Sequence, residues 1–222
     1  MPLHHVPAEV LVAYAAGTGS AGEDLLVACH LTYCPACRAA VDRAEAIGAT
    51  VLDRAPSAPL PAGAWDGLLA ALDAPPHDGP PVHAQPQAQA QGARCPVFPS
   101  ALRDRVGPLD AVAWAAVGAG LRAAKVGDDD RVFLLDFPPG FRIPHHGHHG
   151  TERALVLRGG FSDERAVFER GDVSWRDDPG HDVRIHDDGR CTTLFVNDGP
   201  ADYGVFTPLV DWWVTPRAPR RR

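Results

Sequence analysis

The sequence predicts an α+β protein of two domains, in which a small helical domain precedes an antiparallel β-sandwich or barrel. Residues 7–72 carry apolar positions at helical spacing, residues 74–91 are rich in proline, glutamine and alanine, and short β-type runs recur after Cys95. A helical repeat and a strand alternation differ in period, so this change of pattern marks a change of architecture. With 222 residues, the chain is long enough for two small domains.

The first domain is expected to consist of helices. Pro7 opens the first pattern and Gly17 closes it, since proline suits the first turn of a helix and glycine its end. Pro35 opens a longer pattern in the same way. We predict helices over residues 7–17, 23–31, 35–52 and 62–72.

The second domain is expected to consist of short antiparallel strands. Gly, Pro, Asn and Asp clusters separate the apolar runs, which is typical of an all-β sandwich or barrel. We predict strands over residues 132–137, 153–157, 166–168, 173–175, 183–185 and 192–196.

The predicted domain boundaries follow these patterns. A helical domain spans residues 1–73, a linker spans 74–94, the β domain spans 95–210, and a basic tail spans 211–222. The linker lacks the apolar residues needed to bury a core, so we expect it to be disordered.

Charge and hydropathy narrow the classes of function. Lys and Arg number 21 against 28 Asp and Glu, a formal charge of −7, whereas direct nucleic-acid binding requires a basic face. No apolar run reaches the roughly 18 residues of a membrane helix. Residues 1–12 lack the basic and apolar regions of a secretory signal. We therefore expect a cytoplasmic protein that binds neither nucleic acid nor membrane.

The first cluster of metal-binding residue types is His30-x3-Cys34-x2-Cys37. Two cysteines at this spacing, at the start of a helix, bring two thiolates together for tetrahedral zinc. His4 and His5 are both available as a fourth ligand. The alternative is a redox Cys pair, although no βαβ pattern surrounds the motif. Zinc would supply much of the folding free energy of so small a domain.

The second cluster contains His146, His148 and Glu152. Side chains two apart on a strand point to one side, so these three residues share one face and His145 and His149 share the other. Because only the first face carries a carboxylate, we predict that His146, His148 and Glu152 bind one metal ion. A bend at Gly147 or Gly150 would break this alternation.

The spacing around the second cluster resembles the first cupin motif, G-x5-H-x-H-x3-E-x6-G, from Gly140 to Gly159. The resemblance implies a jelly-roll barrel. It also implies a further histidine ligand from the second motif, which begins at Gly171; His181 is the expected ligand and His186 its rival. Zinc, iron, manganese, nickel and copper all accept imidazole ligands, so the second metal is zinc or another divalent ion.

The combination of a helical H-x3-C-x2-C module with a cupin domain resembles ChrR-type anti-sigma factors. The resemblance makes His5 the fourth ligand of the amino-terminal zinc, beside His30, Cys34 and Cys37. It implies a zinc-stapled helical domain that binds and inhibits an extracytoplasmic-function sigma factor. Release would follow oxidative stress such as singlet oxygen, through the metal-binding cupin domain.

One alternative function stays open. A cupin domain is also compatible with a metal-dependent enzyme of dioxygenase type, with the helical domain as an accessory. We expect a regulator and not an enzyme, because such an enzyme has no need of the Cys-x2-Cys module. Cys191 stands where the family has a cysteine of the cupin domain, but Thr193 replaces the second cysteine that often follows, which argues against a dithiol switch.

Overall fold

The structure, a computed structural model, describes residues 1–73, 97–148, 150–177, 180–199 and 201–202. The predicted linker and basic tail lie outside the described residues, apart from the positions that these ranges include. Contacts divide the chain into two compact units. One unit joins Met1–Gly48 to Pro96–Arg222, and the other is Ala49–Cys95.

The described helices follow the predicted pattern closely. They are α1 (Ala8–Ala15), α2 (Ala21–Tyr33), α3 (Pro35–Asp53), α4 (Ala64–Asp73) and α5 (Ser100–Val106). The short helix α5 was not predicted, because its seven residues offer too few positions for a periodic pattern.

Helix α2 has well-defined ends. Ser20 Oγ accepts a hydrogen bond from the backbone N–H of Glu23 at 3.3 Å, and the Glu23 carboxylate accepts one from the Ser20 N–H at 3.4 Å, which forms a capping box. At the other end Cys34 is extended, with φ −110° and ψ 102°. The ring of Pro35 disfavours a helical conformation for the residue before it, so the chain turns a corner between α2 and α3.

The strands form two antiparallel sheets. They are β1 (Ala115–Gly118), β2 (Leu121–Lys125), β3 (Val132–Phe137), β4 (Arg142–His148), β5 (Glu152–Arg158), β6 (Gly160–Ser162), β7 (Val167–Glu169), β8 (Val173–Arg176), β9 (His181–Ile185), β10 (Cys191–Asn197) and β11 (Ala201–Asp202). One sheet has the order β1-β2-β3-β10-β5-β8 and the other β11-β4-β9-β6-β7. Strands β1, β2, β4, β6 and β11 were not among the predicted runs. The predicted fold class, a helical region followed by an antiparallel barrel, is confirmed.

Each face of the six-stranded sheet has its own apolar core. Leu135, Val156 and Phe195 pack between the two sheets. On the opposite face, Leu155 and Leu194 belong to a second core that also contains side chains of the helices. Adjacent residues of one strand therefore serve different cores, because side chains alternate across a strand.

The start of α2 lies directly on this outer face. A Cβ atom at Gly22 would come within 2.9 Å of methyl groups of both Val132 and Val196, so only glycine allows the helix this close. The buried guanidinium of Arg153 pairs with Glu23 of α2 at 3.1 Å and with Asp198 at 2.7 Å. Apolar contact and an ion pair thus hold the same end of the helix.

A buried carboxylate joins several strand ends on the barrel. Asp136 is fully buried, and its oxygens accept hydrogen bonds from Arg122, Arg158 (2.9 Å), Arg190 (2.6 Å) and Thr192 (2.7 Å). Burial opposes its ionisation, but these hydrogen bonds outweigh that effect and hold the pKa of Asp136 below its usual value.

Candidate metal centres

The corner between α2 and α3 positions two thiols. Cys34 is extended ahead of Pro35, and Cys37 lies in the first turn of α3, where its N–H donates to Cys34 Sγ at 3.4 Å. Both cysteines are buried. Their sulfur atoms lie within 4.8 Å of each other.

Two imidazoles complete the amino-terminal cluster. His30, one helical turn before Cys34, is fully buried and places Nε2 3.2 Å from Cys37 Sγ. His5 lies just before α1 and places Nδ1 3.2 Å from Cys34 Sγ and 3.6 Å from Cys37 Sγ. The four ligand atoms lie within 4.8 Å of one another, and of these residues only His5 is exposed. His4, the other residue considered for this role, instead contacts Phe168 and the carbonyl of Val167.

The dimensions of this cluster fit a tetrahedral zinc ion. Zinc bonds of about 2.3 Å to sulfur and about 2.0 Å to nitrogen place neighbouring ligand atoms about 3.3–3.8 Å apart. The three nitrogen–sulfur distances between the imidazoles and the thiols, 3.2, 3.2 and 3.6 Å, come close to those values. Two thiols with two imidazoles also form a ligand set that zinc prefers in structural sites.

The protonation of these groups affects how a metal binds. Burial and the neighbouring Cys34 raise the pKa of the Cys37 thiol to about 11. Burial lowers the pKa of His30, although its hydrogen bond to Gly171 opposes the shift. His30 is therefore neutral near pH 7, the form that binds metals, whereas Cys37 must lose a proton when a metal binds.

The second cluster lies inside the barrel. His146 on β4 and His181 on β9 are register partners, with ring centroids 4.6 Å apart. Glu152 opens β5 in the other sheet and places Oε1 3.8 Å from His181 Nε2. All three residues are at least 90% buried, and their ligand atoms lie within 4.8 Å of one another. Two imidazoles and a carboxylate suit several divalent metals.

The surroundings of His181 favour its neutral form. Burial, together with the nearby His146 and Arg176, lowers the pKa of His181 to about 4. Arg176 donates to His181 Nδ1 at 3.3 Å and also pairs with Asp163 and Glu164. Sequence reasoning did not identify Arg176, since no spacing rule relates it to His181 on the next strand.

His146 and Glu152 do not lie on one continuous strand, so the predicted alternation is wrong for this pair. Strand β4 ends at His148, Gly150 has a φ of +92°, and Glu152 begins a strand in the other sheet. Glu152 therefore approaches His146 across the barrel. The side chain of His148 lies outside the described residues, and so does His149.

The alternative ligands lie elsewhere. His145 is exposed and has Nδ1 3.9 Å from an Asp182 carboxylate oxygen. His186 follows β9 and lies near Gly160, away from the cluster of His146.

Cys191 is fully buried with its sulfur 3.5 Å from Thr193 Oγ1, and burial raises its pKa to about 11. Cys29 is buried in the apolar core.

A helix that spans a membrane must be both long and apolar. Within the part of the chain that the structure describes, no helix meets both requirements.

Comparisons with known proteins agree with this architecture. The profile of the ChrR cupin-like domain family matches residues 103–202. Anti-sigma-E factor ChrR of Cereibacter sphaeroides is 35% identical over 210 residues, which cover 92% of this chain and 94% of that protein. The crystal structure of Rhodobacter sphaeroides SigE in complex with the anti-sigma ChrR matches with a TM-score of 0.73 and 32% identity, over 89% of this chain and 100% of the matched one.

The expected resemblance is thereby confirmed. The similarity covers 92% of the chain, so it extends into both the helical region and the barrel. The chain belongs to the family of ChrR-type anti-sigma factors.

Proposed function

We propose that this protein is a cytoplasmic anti-sigma factor that binds and inhibits an extracytoplasmic-function sigma factor. The proposal rests on similarity to ChrR along nearly the whole chain. In the matched crystal structure, ChrR is in complex with SigE. Inhibition would be steric, with helices of the amino-terminal region covering surfaces that the sigma factor needs to engage RNA polymerase.

The amino-terminal cluster would hold a structural zinc ion in this role. His5, His30, Cys34 and Cys37 are the proposed ligands, and the ion would supply the cross-link that fixes the corner between α2 and α3. The nitrogen–sulfur distances and the two thiols support zinc over the redox alternative.

The exposed apolar face of α4 supports a protein partner. Trp65, Leu68, Leu69 and Leu72 recur at helical spacing and are between 43% and 73% exposed. Apolar residues that share one face of a helix and remain exposed are typical of interaction sites. We assign this face to the sigma factor.

The barrel would hold a second divalent ion, with His146, His148, Glu152 and His181 as the proposed ligands. Three of these groups are buried side by side in the described structure. We propose that this site is regulatory and not catalytic, and that it is needed for release under oxidative stress such as singlet oxygen. The similarity to an anti-sigma factor supports this role.

The test is binding of the full chain to extracytoplasmic-function sigma factors of the same genome, each added to RNA polymerase in a transcription assay. One of them should be bound and inhibited. Leu68→Glu should weaken that binding by at least about tenfold, because a charge replaces an apolar contact. Val167→Glu, an equally exposed apolar position on the barrel, is the matched control and should bind normally. Inhibition of no sigma factor would overturn the proposal.

A further inference from the structure

The turn between β7 and β8 of the barrel contacts the amino-terminal metal cluster. The carbonyl oxygen of Gly171 lies 2.8 Å from His30 Nδ1, and a carbonyl can only accept, so Nδ1 carries the proton. The lone pair of His30 is then on Nε2, the atom that faces Cys37 Sγ. The barrel thus determines which imidazole nitrogen is available to a metal.

The same turn holds the segment that precedes His5. Asp172 Oδ1 accepts hydrogen bonds from the N–H groups of Leu3 at 2.6 Å and His4 at 3.0 Å. The Val173 N–H donates to the carbonyl of His4 at 3.2 Å. Three hydrogen bonds therefore fix the backbone immediately before the His5 ligand.

Close packing leaves the turn little freedom to move. Gly171 has a φ of +94°, and a Cβ atom there would lie 2.8 Å from Tyr33 Cβ and 3.0 Å from Pro2 Cγ. Asp172 is only 3% exposed. A shift of this turn would therefore displace both the end of α2 and the amino-terminal segment.

The four ligands consequently have two origins. The corner between α2 and α3 positions Cys34 and Cys37, whereas the barrel orients the ring of His30 and holds the backbone before His5. We propose that the β7–β8 turn is the outer hydrogen-bonding partner of the amino-terminal metal site, so that the barrel controls how tightly the helical module holds its metal. This inference rests on the metal site proposed above.

Strand β8 connects the β7–β8 turn to the second cluster. It begins beside the turn at Val173 and ends at Arg176, which donates to His181 Nδ1 at 3.3 Å. Arg176 is also the register partner of Glu152. One strand of four residues therefore has the amino-terminal cluster at one end and the barrel cluster at the other. The proposal therefore includes transmission of a change at Glu152 to the turn through β8.

The test measures cobalt(II) binding to the metal-stripped full chain. Cobalt bound by thiolates gives a near-ultraviolet charge-transfer band, and sulfur is present only in the amino-terminal cluster of the two described ones. Asp172→Ala releases the backbone immediately before His5 and should weaken cobalt binding, followed by this band, by about 10- to 100-fold, the range found for outer supports of metal ligands. Asp129→Ala removes a carboxylate that accepts the Arg131 N–H in a surface turn and should have no effect.

Asp172→Asn distinguishes the two roles of this carboxylate, which accepts from the Leu3 and His4 N–H groups and, within the turn, from the Glu169 N–H. Asn keeps an oxygen for the Leu3 and His4 N–H groups but loses the Asp172 Oδ2 bond to the Glu169 N–H, so cobalt affinity should stay near that of the wild type. If Asp172→Ala does not fold, Gly171→Ala is the second variant. It moves the same turn and should show the same loss of cobalt affinity. Unchanged affinity in a folded Asp172→Ala or Gly171→Ala chain would overturn the proposal.

A double-mutant cycle tests transmission through β8. Glu152→Gln should change the cobalt affinity of the thiolate site in the wild-type background and have no effect in the Asp172→Ala background. Equal effects in both backgrounds would overturn this part of the proposal. A wild-type chain without any thiolate–cobalt band would instead contradict the metal site itself.

Discussion

At the residue scale, Asp136 shows how a buried charge is stabilised in this barrel. Its carboxylate faces three guanidinium groups, and the pKa of Asp136 is held below its usual value. The folded state therefore binds this proton more weakly than the unfolded chain does. The resulting stabilisation is complete above the ordinary carboxyl pKa of about 4 and is lost as the pH falls through the lower folded value.

Asp136→Asn should lower the free energy of unfolding by about 3 kcal/mol at neutral pH, since it leaves three guanidinium groups without their counter-charge. Urea titrations at pH 7 and under acidic conditions measure the difference. The gap from the wild type should shrink in acid, where the wild-type carboxyl is protonated as well. Asp129→Asn, at a partly exposed surface position, should change stability by less than about 0.5 kcal/mol. A gap that widened in acid would contradict this assignment.

At the element scale, the contact between α2 and the six-stranded sheet depends on one glycine. Gly22→Ala would place a methyl group 2.9 Å from methyl groups of Val132 and Val196, and these short side chains cannot swing away. We expect a loss of about 1–3 kcal/mol in unfolding free energy.

Gly48→Ala is the matched control for that substitution, because Gly48 also lies in a helix but a Cβ atom there meets nothing within 4 Å. It should stabilise the protein by about 0.5–1 kcal/mol through helix propensity. Thermal denaturation of both variants gives the comparison. If Gly22→Ala were as stable as Gly48→Ala, the close approach of α2 would not be present in solution.

The two clusters also show which site residues could be predicted from the sequence. The Cys34-Pro35 corner and His30 were predictable because eight consecutive residues contain the whole local geometry. Residue patterns alone left His4 and His5 equivalent, since what separates them is contact with the distant Phe168 and Val167. Glu152 was selected by strand alternation, yet it reaches its neighbours from the opposite sheet.

At the scale of the whole molecule, the first helices and the barrel share one apolar core. Leu26 of α2 and Leu194 of β10 both belong to it and are fully buried. Contacts accordingly group Met1–Gly48 with the barrel, a long-range outcome that local patterns do not encode. The predicted domain boundaries at residues 73 and 95 stay a prediction.

This shared core predicts cooperative unfolding. In hydrogen exchange followed by mass spectrometry, amides of α2 and β10 should lose protection together, with the same dependence on denaturant, because neither element keeps its apolar face covered without the other. Loss of protection in α2 at clearly lower denaturant than in β10 would show that the helices unfold independently.

The uneven exposure of the amino-terminal cluster has a consequence for its chemistry. His5 faces solvent, whereas His30, Cys34 and Cys37 are buried behind it. A chelator or oxidant that diffuses in from water therefore meets a nitrogen ligand before it meets sulfur. We expect exchange of a bound ion to begin with dissociation of His5, and the cysteines to become reactive only after that step.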